Sequence, residues 1–241
     1  MKKVLLAFAA LIAFLVAYQF LTLPDVSVLK KENPKVTALM QQRSREAAAR
    51  GRKARRLQTW VRYENISSYL KSAVLIGEDD AFYRHEGIDY TQIKEAFIKN
   101  WEKKSFVRGG STITQQLAKN LYLSTSKNPL RKLREFFIAR DLEDQLSKRR
   151  IFEIYLNVIE WGDGIYGVEA ASHSYFGKSA RDLDAREAVL LAAVIPNPRR
   201  MNPSKITPRL RSRAEIILSR MLLYKHITAE EHQRVRAGLA G

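Results

Sequence analysis

Hydrophobic positions fall into three regimes along the chain. From Val4 to Leu23 they run without interruption by charge. About 20 apolar residues, at roughly 1.5 Å each, cross a hydrocarbon core of roughly 30 Å, so this run predicts one transmembrane helix. From Pro24 to Arg56 apolar residues thin out and basic ones crowd in, which predicts a juxtamembrane basic linker. Within it a polar helix over about 41–57 is broken at Gly51. Over 57–241 apolar residues recur at helical spacing, and no stretch alternates convincingly as a strand. The pattern predicts a mostly α-helical domain behind one N-terminal span.

Local punctuation divides that domain. A helix is expected over Ile66–Ile76, and another near Tyr90 and Thr91 with Ile93, Ala96, Phe97 and Trp101 on one face. A break from Phe106 to Gln116 contains Gly109 and Gly110, and its hydroxyl residues suit the cap of a helix carrying Leu117 and Leu121. Asn128 and Pro129 form a cap and first-turn pair for a long helix over Leu130–Leu146. Ser147 caps the next helix, and Gly162-Asp163-Gly164 makes a turn into a short helix stopped by Gly177. Asp184 with Glu187, and Thr228 with Glu231, are capping boxes. Thr207-Pro208 opens a basic helix reaching about Lys225.

Charge narrows the partners. The 241 residues carry a formal net charge of +17, which favours nucleic acid, anionic head groups or a phosphorylated substrate. The densest basic run, Arg43 to Arg56, reads either as a solvated stalk or as a polybasic stretch on lipid, the latter gaining about 1 kcal/mol per basic residue. Lys2 and Lys3 precede the apolar run, and no Ala-x-Ala-like site follows it, so an uncleaved signal-anchor is expected. Basic residues flank it on both sides, so charge does not orient it. With no cysteine, disulfides, thiolate metal sites and cysteine nucleophiles are excluded.

Four features carry candidate chemistry. Three acids, Glu78, Asp79 and Asp80, follow the apolar run Ala73–Ile76. Neighbouring carboxylates repel, which raises the proton affinity of one of them, as a general base requires; a solvated turn around a core Phe82 has the same sequence. Glu135 lies four residues after Arg131, a spacing that also suits an exposed helical ion pair. Gly109–Gln116 is a glycine/hydroxyl loop feeding a helix N-terminus, a ready anion site, although it lacks the lysine of a nucleotide phosphate loop. Lys119, Lys127, Arg131 and Lys132 supply positive charge nearby in sequence. His85, His173, His226 and His232 are scattered and lack metal-ligand spacing.

These residues also carry a resemblance. Glu78-Asp79-x-x-Phe82-x-x-His85-x-Gly87 resembles the first motif of the peptidoglycan glycosyltransferases (glycosyltransferase family 51). Gly109-Gly110-Ser111-Thr112-Ile113-Thr114-Gln115-Gln116, followed by Lys119-Asn120, is similar to the second, and Arg131-Lys132-x-x-Glu135 to the third. Lys148–Ile151 with Tyr155-Leu156-Asn157, then Gly164-x-Tyr166-Gly167-x-Glu169-Ala170-Ala171 and Tyr175–Lys178, resemble the fourth and fifth. The match keeps order and spacing from about Leu57 to Met221.

The resemblance implies a lysozyme-like helical domain, anchored in the cytoplasmic (inner) membrane with its cleft on the outer face. It implies that lipid II is polymerised into glycan strands with release of undecaprenyl pyrophosphate. On this resemblance Glu78 is the base that deprotonates the acceptor sugar 4-hydroxyl, and transfer inverts the anomeric carbon. Glu135 orients groups, or a divalent cation (Mg or Mn), at the pyrophosphate. Lys119, Arg131 and Lys132 stabilise the leaving charge, while Ser111, Thr112, Gln115, Gln116 and Asn120 position substrate oxygens. Asp79, Phe82 and His85 support the base. Where the family usually has an arginine ahead of the Arg-Lys pair this chain has Lys127, which keeps the charge and loses the bidentate fork. No Lys-Thr-Gly occurs, and the Ser-x-x-Lys stretches at Ser68–Lys71 and Ser124–Lys127 lie inside the transferase region, which points to the monofunctional type. The partners implied are lipid II, the nascent glycan strand, the membrane and cell-wall synthesis or division proteins, with no nucleic acid. The rivals are a lysozyme-like enzyme that cleaves finished glycan and a non-enzymatic basic membrane protein.

Overall fold

The computed structural model describes residues 2–4, 6, 10, 14, 18–19, 21–89, 110–123 and 129–240. The helix expected from Tyr90, the break through Gly109, the Asn128 cap, Lys127 and most of the apolar N-terminal run lie outside these residues. Among the described residues no helix is long and apolar enough to cross a membrane.

Nine α-helices are described: α1 (Ala38–Ala48), α2 (Ser68–Glu78), α3 (Ile113–Tyr122), α4 (Pro129–Gln145), α5 (Lys148–Val158), α6 (Val168–Phe176), α7 (Ala185–Val194), α8 (Pro208–Leu223) and α9 (Ala229–Ala240). The expected caps form. Ser147 Oγ accepts from the Arg150 N–H, Thr207 Oγ1 from Leu210, and Asp184–Glu187 close a reciprocal box. Thr228 and Glu231 exchange the same two bonds, 2.8 and 3.1 Å long. Gly177 ends α6 in the left-handed conformation, where a side chain is strained.

The helices form two groups around one core. In the first, α2 packs on α7 and α8, with α9 against α8 and α7; in the second, α3 packs on α4 and α5. α7 is buried along almost its whole length, so its apolar residues need no polar face and show no amphipathic stripe. Phe82, Phe152 and Tyr155 fill the seam between the groups, all fully buried.

Two expectations are corrected. The chain has strands: β1 (Leu57–Gln58) pairs parallel with β3 (Ile165–Tyr166), which pairs antiparallel with β2 (Glu160–Gly162). At two or three residues each, they are too short to show alternation in sequence. The first half of the linker expected over 24–56 packs on the domain, while most of the Arg43–Arg56 run is exposed. Val26 and Leu29 belong to the main core, Leu39 and Met40 of α1 pack with Tyr166, and Arg150 binds the carbonyls of Leu29 and Glu32. Arg43 of the basic run reaches Glu160, which is buried on β2. The packing therefore does not break at residue 57. Arg134 of α4 donates to Thr22 Oγ1 and to the Thr22 carbonyl, tying the end of the apolar run to the same body.

Candidate active site

The site lies where the two helix groups meet. Glu78 is the last residue of α2 and its side chain is only 10% exposed. Its Oε1 accepts from Arg213 Nη2 of α8 at 2.8 Å, and its Oε2 accepts from the Gln116 amide of α3 at 2.9 Å. Tyr155 of α5, fully buried, donates to Gln116 Oε1 at 2.9 Å. A tyrosine hydroxyl bonded there leaves the amide NH2 turned toward Glu78, so the chain Tyr155–Gln116–Glu78 has a fixed polarity.

Burial pushes the Glu78 carboxyl above the ordinary carboxylate range, against the opposing pull of Arg213, Gln116 and Lys119. The carboxylate neighbours contribute nothing prominent to that rise, which corrects the like-charge explanation. Asp79 turns away to serve other groups, and Asp80 is exposed. The C-terminal position acts in the same direction as burial, because the negative end of the helix dipole disfavours an anion there.

Asp79 holds the turn together. Its Oδ2 accepts the Ile113 N–H that opens α3 at 2.9 Å, and both its oxygens accept from His85 Nε2, at 2.9 and 3.0 Å. Phe82 lies fully buried with its ring edge-on to His85. The expected supports of the base are thus assembled around one carboxylate.

Thr112 and Gln115 are both engaged at the start of α3. They form the capping box of α3, both are buried, and Thr112 Oγ1 donates to the Gly87 carbonyl at 2.6 Å. Their side chains are engaged in starting the helix and fastening it to the Glu78 turn. Ser111 is different: its Oγ accepts from Lys132 Nζ at 3.2 Å.

Glu135 is buried, not the exposed helical pair its spacing allows. Its Oε2 accepts from Arg131 at 2.6 Å and its Oε1 from Lys132. Lys119, one turn beyond Gln116 on α3, lies between the two acids electrically. Burial lowers its pKa, Glu135 and Glu78 raise it, and Arg131 and Lys132 lower it further. An anion arriving there would meet three cations with one carboxylate among them. Asn120 is partly exposed beside Lys119.

Among the described residues no group of three or more His, Cys, Asp or Glu is placed to hold a metal ion. Both Glu135 oxygens already accept from cations. This donor set does not fit a divalent cation.

Sequence reasoning missed Arg213 as a site residue, and placed Tyr155 in a motif without giving it a role. Arg213 sits 135 residues from Glu78, in a helix whose many basic residues look alike.

Residues 43–222 match the family model described as transglycosylase. The chain belongs to that family. It is 44% identical to a protein of Nitrosospira multiformis named biosynthetic peptidoglycan transglycosylase, over 89% of this chain and 93% of the relative. It is 47% identical to a Nitrosomonas eutropha protein of the same name, over 88% and 86%, and 45% identical to one from Methylobacillus flagellatus, over 87% and 92%. The family match begins within α1, in accord with the docking of that helix on the domain.

Proposed function

We propose that the chain polymerises lipid II into peptidoglycan glycan strands for the cell wall. The observation that carries the reading is the pairing of one buried carboxylate of raised proton affinity, Glu78, with a separate cation cluster of Lys119, Arg131 and Lys132. Transfer to a sugar hydroxyl needs a base at one end and stabilisation of the departing charge at the other.

In this mechanism Glu78 takes the proton of the acceptor 4-hydroxyl as its oxygen attacks the anomeric carbon of the donor chain. The new C–O bond forms opposite the bond to pyrophosphate. That bond breaks with its electron pair, and the configuration inverts. Lys119, Arg131 and Lys132 hold the undecaprenyl pyrophosphate charge, with Ser111 fixing Lys132, and Lys127 adds charge by resemblance to the family. Glu135 orients Arg131 and Lys132 and keeps them from repelling each other. Gln116 and Asp79 position the base, and Thr112 and Gln115 act through the α3 cap. No step passes through a metal ion.

The same reading gives a lysozyme-like domain held on the outer face of the cytoplasmic membrane by the apolar run before Leu23. The wild-type chain is expected to polymerise purified lipid II. Glu78→Gln, whose single amide oxygen can accept from only one of Gln116 and Arg213, is expected to lower the rate by about a thousandfold, within the range of a lost general base. Undiminished product from Glu78→Gln, or muropeptide release from mature sacculi without polymerisation, would overturn the reading.

A further inference from the structure

We propose that Arg213 is a positioning residue of the transfer reaction: it orients the Glu78 carboxylate and holds it in the ionised, proton-accepting form. The proposal rests on Glu78 being the base.

Three local features place Arg213 there. Gly77 lets α2 and α8 approach closely: a Cβ on it would lie 3.1 Å from Ile217 Cδ1. Arg213, one turn before Ile217, is thereby brought to the end of α2. Its Nη2 reaches both the Gly77 carbonyl, at 3.3 Å, and Glu78 Oε1, at 2.8 Å. A helix end leaves such carbonyls without partners and favours a cation. One guanidinium therefore caps the helix and pairs with the acid on its last residue.

The division of labour around Glu78 is unequal. From α3 it meets the neutral Gln116 amide and, through space, Lys119. From α5 comes the buried Tyr155, and from the turn beyond α2 Asp79, already bonded to His85. Among the described residues Arg213 is the cation in hydrogen-bond contact with the carboxylate. The Arg213 side chain is 34% exposed, while among the described residues its buried Nε has no partner. Without Arg213, Glu78 would keep one neutral donor and the burial that favours its protonated form. When Glu78 accepts the acceptor's proton the ion pair is discharged, and Arg213 keeps the neutral acid in place through the Gly77 carbonyl.

A purely structural arginine would join α8 to α2 and do no more. The pH dependence of kcat/KM separates the two roles. In Arg213→Met the acidic limb is expected to move to higher pH, with a loss of activity about tenfold greater at pH 6 than at pH 9, as for a carboxylate deprived of its counter-charge. KM for lipid II is expected to change little. Arg213→Lys keeps the charge and loses the fork, so its limb is expected to stay near that of wild type while kcat falls about fivefold. Added guanidinium is expected to restore part of the activity of Arg213→Ala at low pH. Equal losses at every pH in both Met and Lys variants, with lowered Tm, would overturn the proposal. So would an unshifted limb in a well-folded Arg213→Met. If Glu78→Gln is inactive and the limb does not move, Arg213 alone is misassigned; if Glu78→Gln is fully active, the base and this inference fall together.

Discussion

Glu78 and Glu135 are both buried glutamates at helix positions facing one site, yet they are built for opposite tasks. Glu135 gives each oxygen to a cation, Arg131 and Lys132. Glu78 gives one oxygen to a cation and the other to a neutral amide. The second cation leaves Glu135 fastened between two charged partners, whereas the amide leaves one Glu78 oxygen without a counter-charge. On the proposed function, the number of charged donors separates the acid that takes the proton from the acid that organises cations, although both are glutamates.

The largest test of this contrast exchanges each acid for its amide. Glu78→Gln is expected to abolish most polymerisation and yet to raise Tm at pH 8. The sign follows from burial. With its folded pKa above the ordinary carboxylate value, Glu78 binds a proton more readily folded than unfolded, so its contribution to stability falls as pH rises from the ordinary glutamate range through the raised folded value. The gap in Tm between variant and wild type should therefore close as the pH is lowered. An unchanged pH dependence of Tm would remove Glu78 as a strained acid. Glu135→Gln is expected to lose about a hundredfold in rate, in line with loss of electrostatic organisation. It should also lose about 2 kcal/mol of stability, below the usual figure for a broken buried pair because Lys132 is half exposed and can rehydrate. Urea unfolding measures the second number, and a variant as stable as wild type would show that the two cations do not need the acid.

Smaller changes sharpen the comparison. Tyr155→Phe frees the Gln116 amide to turn, and is expected to lower kcat about fivefold, as for one lost hydrogen bond of about 1 kcal/mol. Unaltered kcat would show that the polarity of the Tyr155–Gln116–Glu78 chain is unimportant. Arg43→Ala leaves the buried Glu160 without its cation. It is expected to reduce stability by about 2 kcal/mol with kcat within twofold of wild type, because among the described residues Arg43 bonds Glu46 and Glu160 and not the groups around Glu78. A large loss of activity would give α1 a part in the reaction.

What the sequence disclosed was set by distance along the chain. Caps need residues three apart, so Asp184–Glu187, Thr228–Glu231 and Thr207-Pro208 were readable, and so was the Arg131–Glu135 pair. Burial is not local, so the same spacing left Glu135 indistinguishable from a surface pair. Motif order revealed Glu78, Lys119 and the α3 loop. The order did not reveal that Thr112 and Gln115 face inward as a cap, because a hydroxyl and an amide suit either use. Arg213 was invisible for a third reason: its role depends on Gly77 admitting Ile217, a contact between distant segments. The strands and the docking of 24–56 failed alike, as short or polar stretches whose partners lie elsewhere.

The docked N-terminal arm has a mechanical consequence. Val26 is buried in the core, and only Pro24 and Asp25 separate it from Leu23, where the apolar run ends. Three residues of extended chain span about 10 Å. If the apolar run anchors the chain as proposed, the Arg134–Thr22 bonds leave the domain only a short tether. Under the proposed function, such an enzyme cannot swing out to search the space beyond the bilayer. It meets lipid-borne substrate only by drifting sideways, with its cleft at a fixed height.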